Sequence, residues 1–341
     1  MSKKAFITGI NGFTGSHMAK LLIKNKVAVG GIARDLKKTS LKTFRNKVRL
    51  WQFDLTQNSG RIQKILFEFC PDFIFHFASP LLRSSIMDGE ILQKNLQVDF
   101  SGTMNLLEAV LKLKKKPKIL ITGTSAVCQI KNNEPLKENA PFGPICPYGL
   151  SKFVQETSAF AFCRKNKIPL VYTHTFHLIG PGQRLGFVVP DIAKQIAEIE
   201  KDIKKPVIYV GNTESKRDFT DVRDAVSAYW LIINKGKNYE IYNVCSGRSH
   251  SVQEIKNFFV SEMKNRIGDS CFRRNDKEEY KNDKEEYRND IEIIQKKEKL
   301  RKGEILNIVG NNQKIKKLGW QAKIPFEKSL ADTLSNFNKI I

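Results

Sequence analysis

The stretch Thr8-Gly9-Ile10-Asn11-Gly12-Phe13-Thr14-Gly15 decides the fold of this chain. It closes the apolar run Ala5-Phe6-Ile7, which reads as a strand, and opens a segment that reads as a helix. Glycines allow a tight turn there and a close approach of other atoms to the backbone. The helix behind them presents unpaired N–H groups with partial positive charge, so the turn is suited to a pyrophosphate. Its spacing is G-x-x-G-x-x-G, distinct from the G-x-G-x-x-G of many dinucleotide sites.

Outward from this turn, apolar β-branched runs alternate with helix-length segments up to about residue 175: Val27 to Ala33, Val48 to Gln52, Phe73 to His76, Ile119 to Thr122 and Leu170 to Thr175. Such a pattern predicts a parallel sheet covered on both faces, the doubly wound, Rossmann-like α/β architecture. After Gly180-Pro181-Gly182 the pattern loosens, with a helix expected from about Pro190 to Glu200, a strand at Val207 to Val210 and a helix from about Val222 to Ile233. Ligands of such folds sit beyond the carboxyl ends of the strands, so the C-terminal part is expected to form a smaller substrate lobe over that crevice. The expected division is residues 1–178 for dinucleotide binding, with 215–248 returning to it, and 179–214 with 249–341 for the substrate. One segment stands apart: Asn275-Asp-Lys-Glu-Glu-Tyr-Lys281 recurs as Asn282-Asp-Lys-Glu-Glu-Tyr-Arg288. Two charged heptads hold too little apolar surface to build a core and read as a surface insertion at about 275–290.

The 341 residues are 41% apolar and carry a formal charge of +23. That charge invites a polyanion, yet the lysines are spread over nearly every expected helix, and the densest run, Lys112 to Lys118, is placed at a helix end where cations suit the dipole. We therefore expect no nucleic-acid partner and instead a small, doubly negative substrate. No apolar run is long enough for a membrane span, and Met1-Ser2-Lys3-Lys4 leads directly into a strand, so a cytoplasmic protein is expected. The cysteines Cys70, Cys128, Cys146, Cys163, Cys245 and Cys271 show no C-x-x-C spacing, which fits reduced thiols and no metal site.

At the end of the second strand, Arg34 precedes Asp35. An acidic group there pairs with a ribose hydroxyl, whereas an arginine accommodates a 2′-phosphate, so Arg34 favours NADP, with NAD as the alternative. Asp54, in Phe53-Asp54-Leu55, follows the third strand and can reach an adenine amine or cap the next turn. Tyr148-Gly-Leu-Ser-Lys152 places a phenol and an ammonium one helical turn apart, so the cation can lower the phenol pKa from about 10 toward working pH. A Thr124-Ser125 pair precedes it, after an apolar run.

In this order, TGxxGxxG, Asp54-Leu55, His76-Phe-Ala-Ser79, Thr122-Gly-Thr-Ser-Ala-Val127 and Tyr148-x-x-x-Lys152 resemble the extended short-chain dehydrogenase/reductases that modify nucleotide sugars. Gly180-Pro-Gly-Gln183, Phe187-Val188, Ala193 to Ile199, Val210-Gly-Asn212, Lys216 to Asp224, Tyr242 to Gly247 and Lys317-Leu-Gly-Trp320 resemble one branch, which holds GDP-mannose 4,6-dehydratases and, nearer still, GDP-4-keto-6-deoxy-D-mannose reductases. The resemblance covers almost the whole chain apart from the insertion. It implies that Tyr148 is the general acid/base, Lys152 its partner and ribose clamp, and Thr124 the hydroxyl that holds the reacting sugar oxygen, with Ser125 beside it. It also implies that Gly9, Asn11, Gly12, Phe13, Thr14, Gly15, Arg34, Asp54, Leu55 and Ala78 line the cofactor. On the substrate it places Arg217 and Arg301 at the diphosphate, with His177, Val188, Lys194 and Glu304 nearby. The family further implies a homodimer formed through a helix pair.

Departures bear on the reaction. The dehydratases carry a glutamate two residues after the catalytic threonine, and the reductases usually also carry acidic residues there, followed by a tyrosine and glycine; here the residues are Ala126 and then Val127-Cys128-Gln129. The family asparagine before Gly-Pro-Gly is His177, and the one before the F-S-G-T segment is Asp99. The expected activity is NADP-dependent reduction of a 4-keto-6-deoxy, GDP-linked sugar. The alternatives are a 4-epimerase or 4,6-dehydratase that recycles bound nicotinamide, and a non-catalytic nucleotide-binding protein of the same fold.

Overall fold

From the glycine turn onward, the chain runs β1 (Lys4–Thr8), α1 (Phe13–Lys24), β2 (Ala28–Ala33), β3 (Val48–Gln52), α2 (Ser59–Phe69), β4 (Phe73–His76), α3 (Gly89–Leu96), α4 (Thr103–Leu111), β5 (Lys118–Thr124), α5 (Pro147–Lys165) and β6 (Leu170–Thr175). It continues through β7 (His177–Ile179), α6 (Val188–Glu200), β8 (Val207–Val210), β9 (Lys216–Asp221), α7 (Val222–Lys235), β10 (Glu240–Val244), β11 (Ser249–Ser251) and α8 (Val252–Arg273). β12 (Glu292–Gln295), β13 (Asn307–Ile308), α9 (Gln313–Lys316) and α10 (Phe326–Asn338) complete it. This computed structural model describes residues 2–36, 45–57, 59–80, 82, 84, 86–130, 134–273, 291–296 and 305–341. The charged repeat at 275–290, Arg301 and Glu304 lie outside the described residues.

Seven strands form one sheet in the order β10-β6-β5-β4-β1-β2-β3, every pair parallel. Successive residues of a strand point to opposite faces, and here both faces are apolar. Ala5 and Ile7 join a core with Met18 and Leu22 of α1 and Val226, Tyr229 and Ile232 of α7. Phe6, between them, joins the opposite core with Ile62 and Leu66 of α2, Leu106 and Val110 of α4 and Ala159 of α5. This is the expected doubly wound sheet. The chain order reverses between β1 and β4, and the carboxyl ends of those strands, Thr8 and His76, lie side by side in register. That reversal opens the crevice where such folds take their ligands.

A separate core gathers Ile192, Ile196 and Ile199 of α6, Ile255 and Phe259 of α8, Leu330 and Leu334 of α10, and Ile208 of β8. Beside it, β9 pairs with β7, β11 and β13, and β8 pairs with β12. One expectation needs correction. The run Lys112 to Lys118 does not end a helix as a block: Lys112 caps α4 and Lys118 already starts β5. The Lys118 Nζ donates to Gly236 O at 2.7 Å, so this lysine ties the sheet to the turn after α7.

Candidate active site

Gly9 has φ +68, a left-handed conformation that suits glycine, and a Cβ there would stand 3.1 Å from the Ala78 backbone nitrogen. At Gly15 a Cβ would come within 2.2 Å of Gly9 O, so only glycine lets α1 start this close to the turn. Gly12, the residue before α1, offers no side-chain cap, and the first turn holds no acidic residue. The outward N–H groups of Phe13, Thr14 and Gly15 are therefore left for an external anion, which is what a pyrophosphate requires. Asn11 Nδ2 donates to Asp35 O at 2.6 Å, which holds the exposed Arg34 beside the glycine turn. Asp54 has a local task as well: its Oδ1 accepts from Thr56 N and Thr56 Oγ1, each at 2.9 Å. Leu55 is buried in the core.

The catalytic candidates converge at the carboxyl end of β5 and the start of α5. Thr124 is the last residue of β5, lies opposite Thr175 of β6, and its Oγ1 accepts from Ala126 N at 3.2 Å, which caps the short turn Ser125–Val127. Pro147 opens α5 at a position where its missing N–H costs nothing, and the Cys146 Sγ accepts from Gly149 N at 3.4 Å. Gly149 then brings the first turn of α5 onto the Ser125–Val127 turn, since a Cβ at this position would lie 2.5 Å from Ala126 O. That contact draws the segment bearing Tyr148 toward Thr124 and Ser125. The sequence reading assigned Gly149 no role; its signal is the glycine inside the Tyr-x-x-x-Lys interval.

Helix α5 buries Ser151, Lys152, Gln155 and Glu156, an unusual polar face for a helix against a sheet. The Lys152 Nζ donates to Gln155 Oε1 at 3.0 Å and to Thr122 O at 3.4 Å, and it forms an ion pair with Asp99 Oδ1 at 3.1 Å. Gln155 Nε2 donates to Thr103 Oγ1 at 2.8 Å; Thr103 in turn donates to Asp99 O at 2.5 Å and meets His76 Nε2 at 2.9 Å. His76 Nδ1 faces Thr8 Oγ1 at 2.7 Å, and Thr8 Oγ1 accepts from Ala78 N at 3.2 Å. With both threonine hydroxyls assigned in this way, His76 carries its proton on Nε2 and accepts at Nδ1. Burial, helped by the Lys152 charge, pushes its pKa down to about 3, so His76 is neutral. A continuous polar column thus runs from the glycine turn to Lys152.

A second buried cluster joins Glu156 of α5 to β6. His174 Nε2 meets Glu156 Oε2 at 2.8 Å, and Cys128 Sγ approaches His174 Nδ1 at 3.8 Å. Burial opposes charge on His174, but the bonds to Cys128 and Glu156 prevail and hold its pKa up at about 9.

On the substrate side, Arg217 lies in β9 with Nη1 donating to Lys216 O at 2.8 Å and to Leu306 O at 3.4 Å. Next to it Asp218, fully buried, accepts from Ser246 N, Ser246 Oγ, Gly247 N and Gly310 N at 2.7 to 3.1 Å, which clamps β9 to the loops after β10 and β13. His177 in β7 sits edge-on to Phe219 at 5.9 Å. Val188 starts α6 and packs against its core. Lys194 is engaged within α6, its Nζ 2.8 Å from Glu198 Oε1. The Gly180–Gln183 loop docks on α1, where His17 Nε2 meets Pro181 O at 2.9 Å. No helix among the described residues is long and apolar enough to cross a membrane.

A family profile described as GDP-mannose 4,6 dehydratase matches residues 6–333. The GDP-6-deoxy-D-mannose reductase of Pseudomonas aeruginosa is 24% identical over 99% of this chain and 98% of its own length. The GDP-mannose 4,6 dehydratase of Homo sapiens is 26% identical, covering 95% of this chain and 88% of its own. Among solved structures, RMD from Pseudomonas aeruginosa complexed with NADPH has a TM-score of 0.75 at 22% identity, covering 99% of this chain and all 100% of its own. UDP-glucose 4-epimerase from Thermotoga maritima with UDP-glucose reaches 0.80 at 22% identity, covering 99% of both chains. At such identities the structural likeness establishes the fold.

Proposed function

The chain belongs to the GDP-mannose 4,6-dehydratase family, in agreement with its motifs, and on that premise we propose that it is an NADP-dependent reductase of a 4-keto-6-deoxy nucleotide sugar. The substrate is GDP-linked, of the GDP-4-keto-6-deoxy-D-mannose type, and the product a GDP-6-deoxyhexose such as GDP-D-rhamnose. Ala126 carries the choice of reaction. Water elimination needs an acid/base at the fifth and sixth sugar carbons, and where the resembling dehydratases hold glutamate this chain holds a methyl group. The full-length relative named GDP-6-deoxy-D-mannose reductase supports the same reading.

The residues fit the cofactor. The uncapped start of α1 suits the pyrophosphate, and Arg34 beside the turn suits a 2′-phosphate. When bound, the reduced nicotinamide supplies a hydride to the ketone carbon. Tyr148 donates its phenolic proton to the ketone oxygen, Thr124 and Ser125 hold that oxygen through their hydroxyls, and Lys152 stabilises the phenolate left behind. Arg217 binds the diphosphate through its guanidinium fork, with Arg301, Glu304, His177, Val188 and Lys194 as further substrate contacts. The division into a dinucleotide unit (1–178 with 215–248) and a substrate unit (179–214 with 249–341), the homodimer and the cytoplasmic setting belong to the same proposal.

The test is incubation with NADPH and the 4-keto sugar made in place from GDP-mannose, followed at the nicotinamide absorbance and by sugar analysis. One NADPH should be consumed per sugar reduced. Tyr148→Phe should lower turnover about 10²- to 10⁴-fold while the cofactor still binds. Sugar conversion without net consumption of NADPH would favour the epimerase or dehydratase reading instead.

A further inference from the structure

Asp99 is fully buried, and it sits in a wide turn, Gln97–Gly102, whose backbone closes i→i+5 bonds between α3 and α4. Its two oxygens serve different partners. Oδ1 faces the Lys152 ammonium at 3.1 Å, and Oδ2 accepts from Ser151 Oγ at 2.9 Å, a hydroxyl whose single proton is shared with Tyr148 O at 3.0 Å. Asp99 is thereby paired directly with the lysine of the Tyr-x-x-x-Lys pair, and it competes with the backbone of its tyrosine for the Ser151 proton. A buried carboxylate of this kind is strongly unfavourable without a counter-charge, so its pairing with Lys152 fixes both groups.

Building on the reductase reading of Tyr148 and Lys152, we propose that Asp99 is a positioning residue that offsets the Lys152 charge. Tyr148 then rests as the neutral phenol, and the site favours proton donation to a ketone over proton removal from an alcohol. In reduction, the O–H bond of Tyr148 breaks as its proton bonds to the ketone oxygen, and a bound NADPH would supply the hydride that bonds to the carbon. Oxidation of an alcohol needs the reverse, a phenolate that accepts a proton, and an unopposed ammonium would favour that form.

Several other ionisable groups near this centre are paired or neutral. On α5, Glu156 is paired with His174 of β6 at 2.8 Å, so their charges oppose each other. His76 of β4 is neutral. Tyr172 of β6 and Tyr229 of α7 are held protonated, by burial first. Both Asp99 and Tyr148 lie within electrostatic reach of the Tyr172 hydroxyl, which places the carboxylate and the reacting phenol in one field.

The test is direct titration of Tyr148 in the full chain, read as the phenolate absorbance difference between each protein and the same protein carrying Tyr148→Phe. Asp99→Asn should lower the Tyr148 pKa by about one unit, and the alkaline limb of the kcat/KM profile for ketone reduction should move down with it. Lys152→Met should raise it. Asp99→Asn with Lys152→Met removes both charges together and keeps the interior neutral, so this pair should fold even where the single Asn variant does not, with Tyr148 titrating within a few tenths of a unit of wild type. A Tyr148 titration unmoved by Asp99→Asn, or a double variant that titrates like Lys152→Met alone, overturns the proposal. If the wild type reduces no 4-keto sugar, the reductase reading fails, and the difference titration still decides the role of Asp99.

Discussion

Gly149→Ala separates the catalytic candidates without touching any of them. The added Cβ would stand 2.5 Å from Ala126 O, well inside the 3.4 Å at which ordinary contact begins, and 3.3 Å from Pro144 Cβ. To relieve it, the first turn of α5 must retreat from the Ser125–Val127 turn by most of an ångström, carrying Tyr148 away from Thr124. Two effects on stability oppose each other. Alanine favours the helix by up to about 1 kcal/mol over glycine, while overpacking against backbone costs about 1 to 3 kcal/mol. The net loss should be about 0 to 2 kcal/mol in denaturant unfolding, too little to unfold the protein. Catalysis is more sensitive, because displacement of reacting groups by about 1 Å costs on the order of 10²-fold in rate. Ketone-dependent NADPH oxidation should therefore fall about 10²-fold in kcat with cofactor affinity kept. The control is Gly89→Ala at the start of α3, where a Cβ meets nothing within 4 Å and Asp88 still caps the helix. A Gly149→Ala enzyme within twofold of wild type would refute the argument that this contact sets the spacing of Tyr148 and Thr124.

Arg34→Ala should weaken NADPH by about one to two decades and NADH much less, since charge-assisted hydrogen bonds contribute roughly 1.5 to 3 kcal/mol; equal losses in a binding titration would remove Arg34 as the selector. Stability should peak near pH 6.5. His76 is buried neutral with its pKa lowered to about 3, so its contribution is full above the unfolded value near 6.5 and lost as pH falls, by about 2 kcal/mol at pH 5. His174, raised to about 9, stabilises fully below pH 6.5 and ever less as pH climbs toward 9. Denaturant unfolding across pH 5 to 9 checks both, with His76→Gln expected to flatten the acid side; a stability that rises steadily toward pH 5 would contradict the assignment.

The nucleotide end of the fold was legible because its steric demands are written into the spacing of one residue type. Gly9 needs a positive φ and Gly15 needs the absence of a Cβ, and each leaves a glycine in the sequence. The strands of the sheet were legible for a similar reason, since both their faces are apolar. β10 was not read as a strand, because nothing in Glu240-Ile-Tyr-Asn-Val244 announces a partner as distant as β6. Helices α8 and α10 were missed too, although their apolar residues build the third core, because the reading took the chain after Gly180 as irregular. Lys194 illustrates a competing local rule: a glutamate four residues on, Glu198, takes the lysine within its own helix. Asp54 likewise closes an Asx-turn with Thr56, one of the two roles its position allowed.

The column from Thr8 to Asp99 escaped sequence reasoning for a different reason. His76, Thr103, Gln155 and Asp99 come from β4, the start of α4, α5 and the wide turn before α4, and apart from the local bond of Thr103 to Asp99 O they are distant from one another in sequence. A histidine after an apolar strand or a threonine at a helix start has many bland explanations when read singly. Assembled, they satisfy one another's donors and acceptors at 2.5 to 3.0 Å around a lysine that must be buried. Low dielectric makes such a network costly to break at any single member. Thr8 at its end adjoins the glycine turn and Lys152 is the proposed partner of the Tyr148 phenol, so on that proposal a change in the column alters cofactor seating and proton transfer together. On the proposed reading, His76, Thr103, Gln155 and Asp99 hold the chemistry in place from behind Lys152, and their variants should show it as paired changes in cofactor affinity and in the pH dependence of turnover.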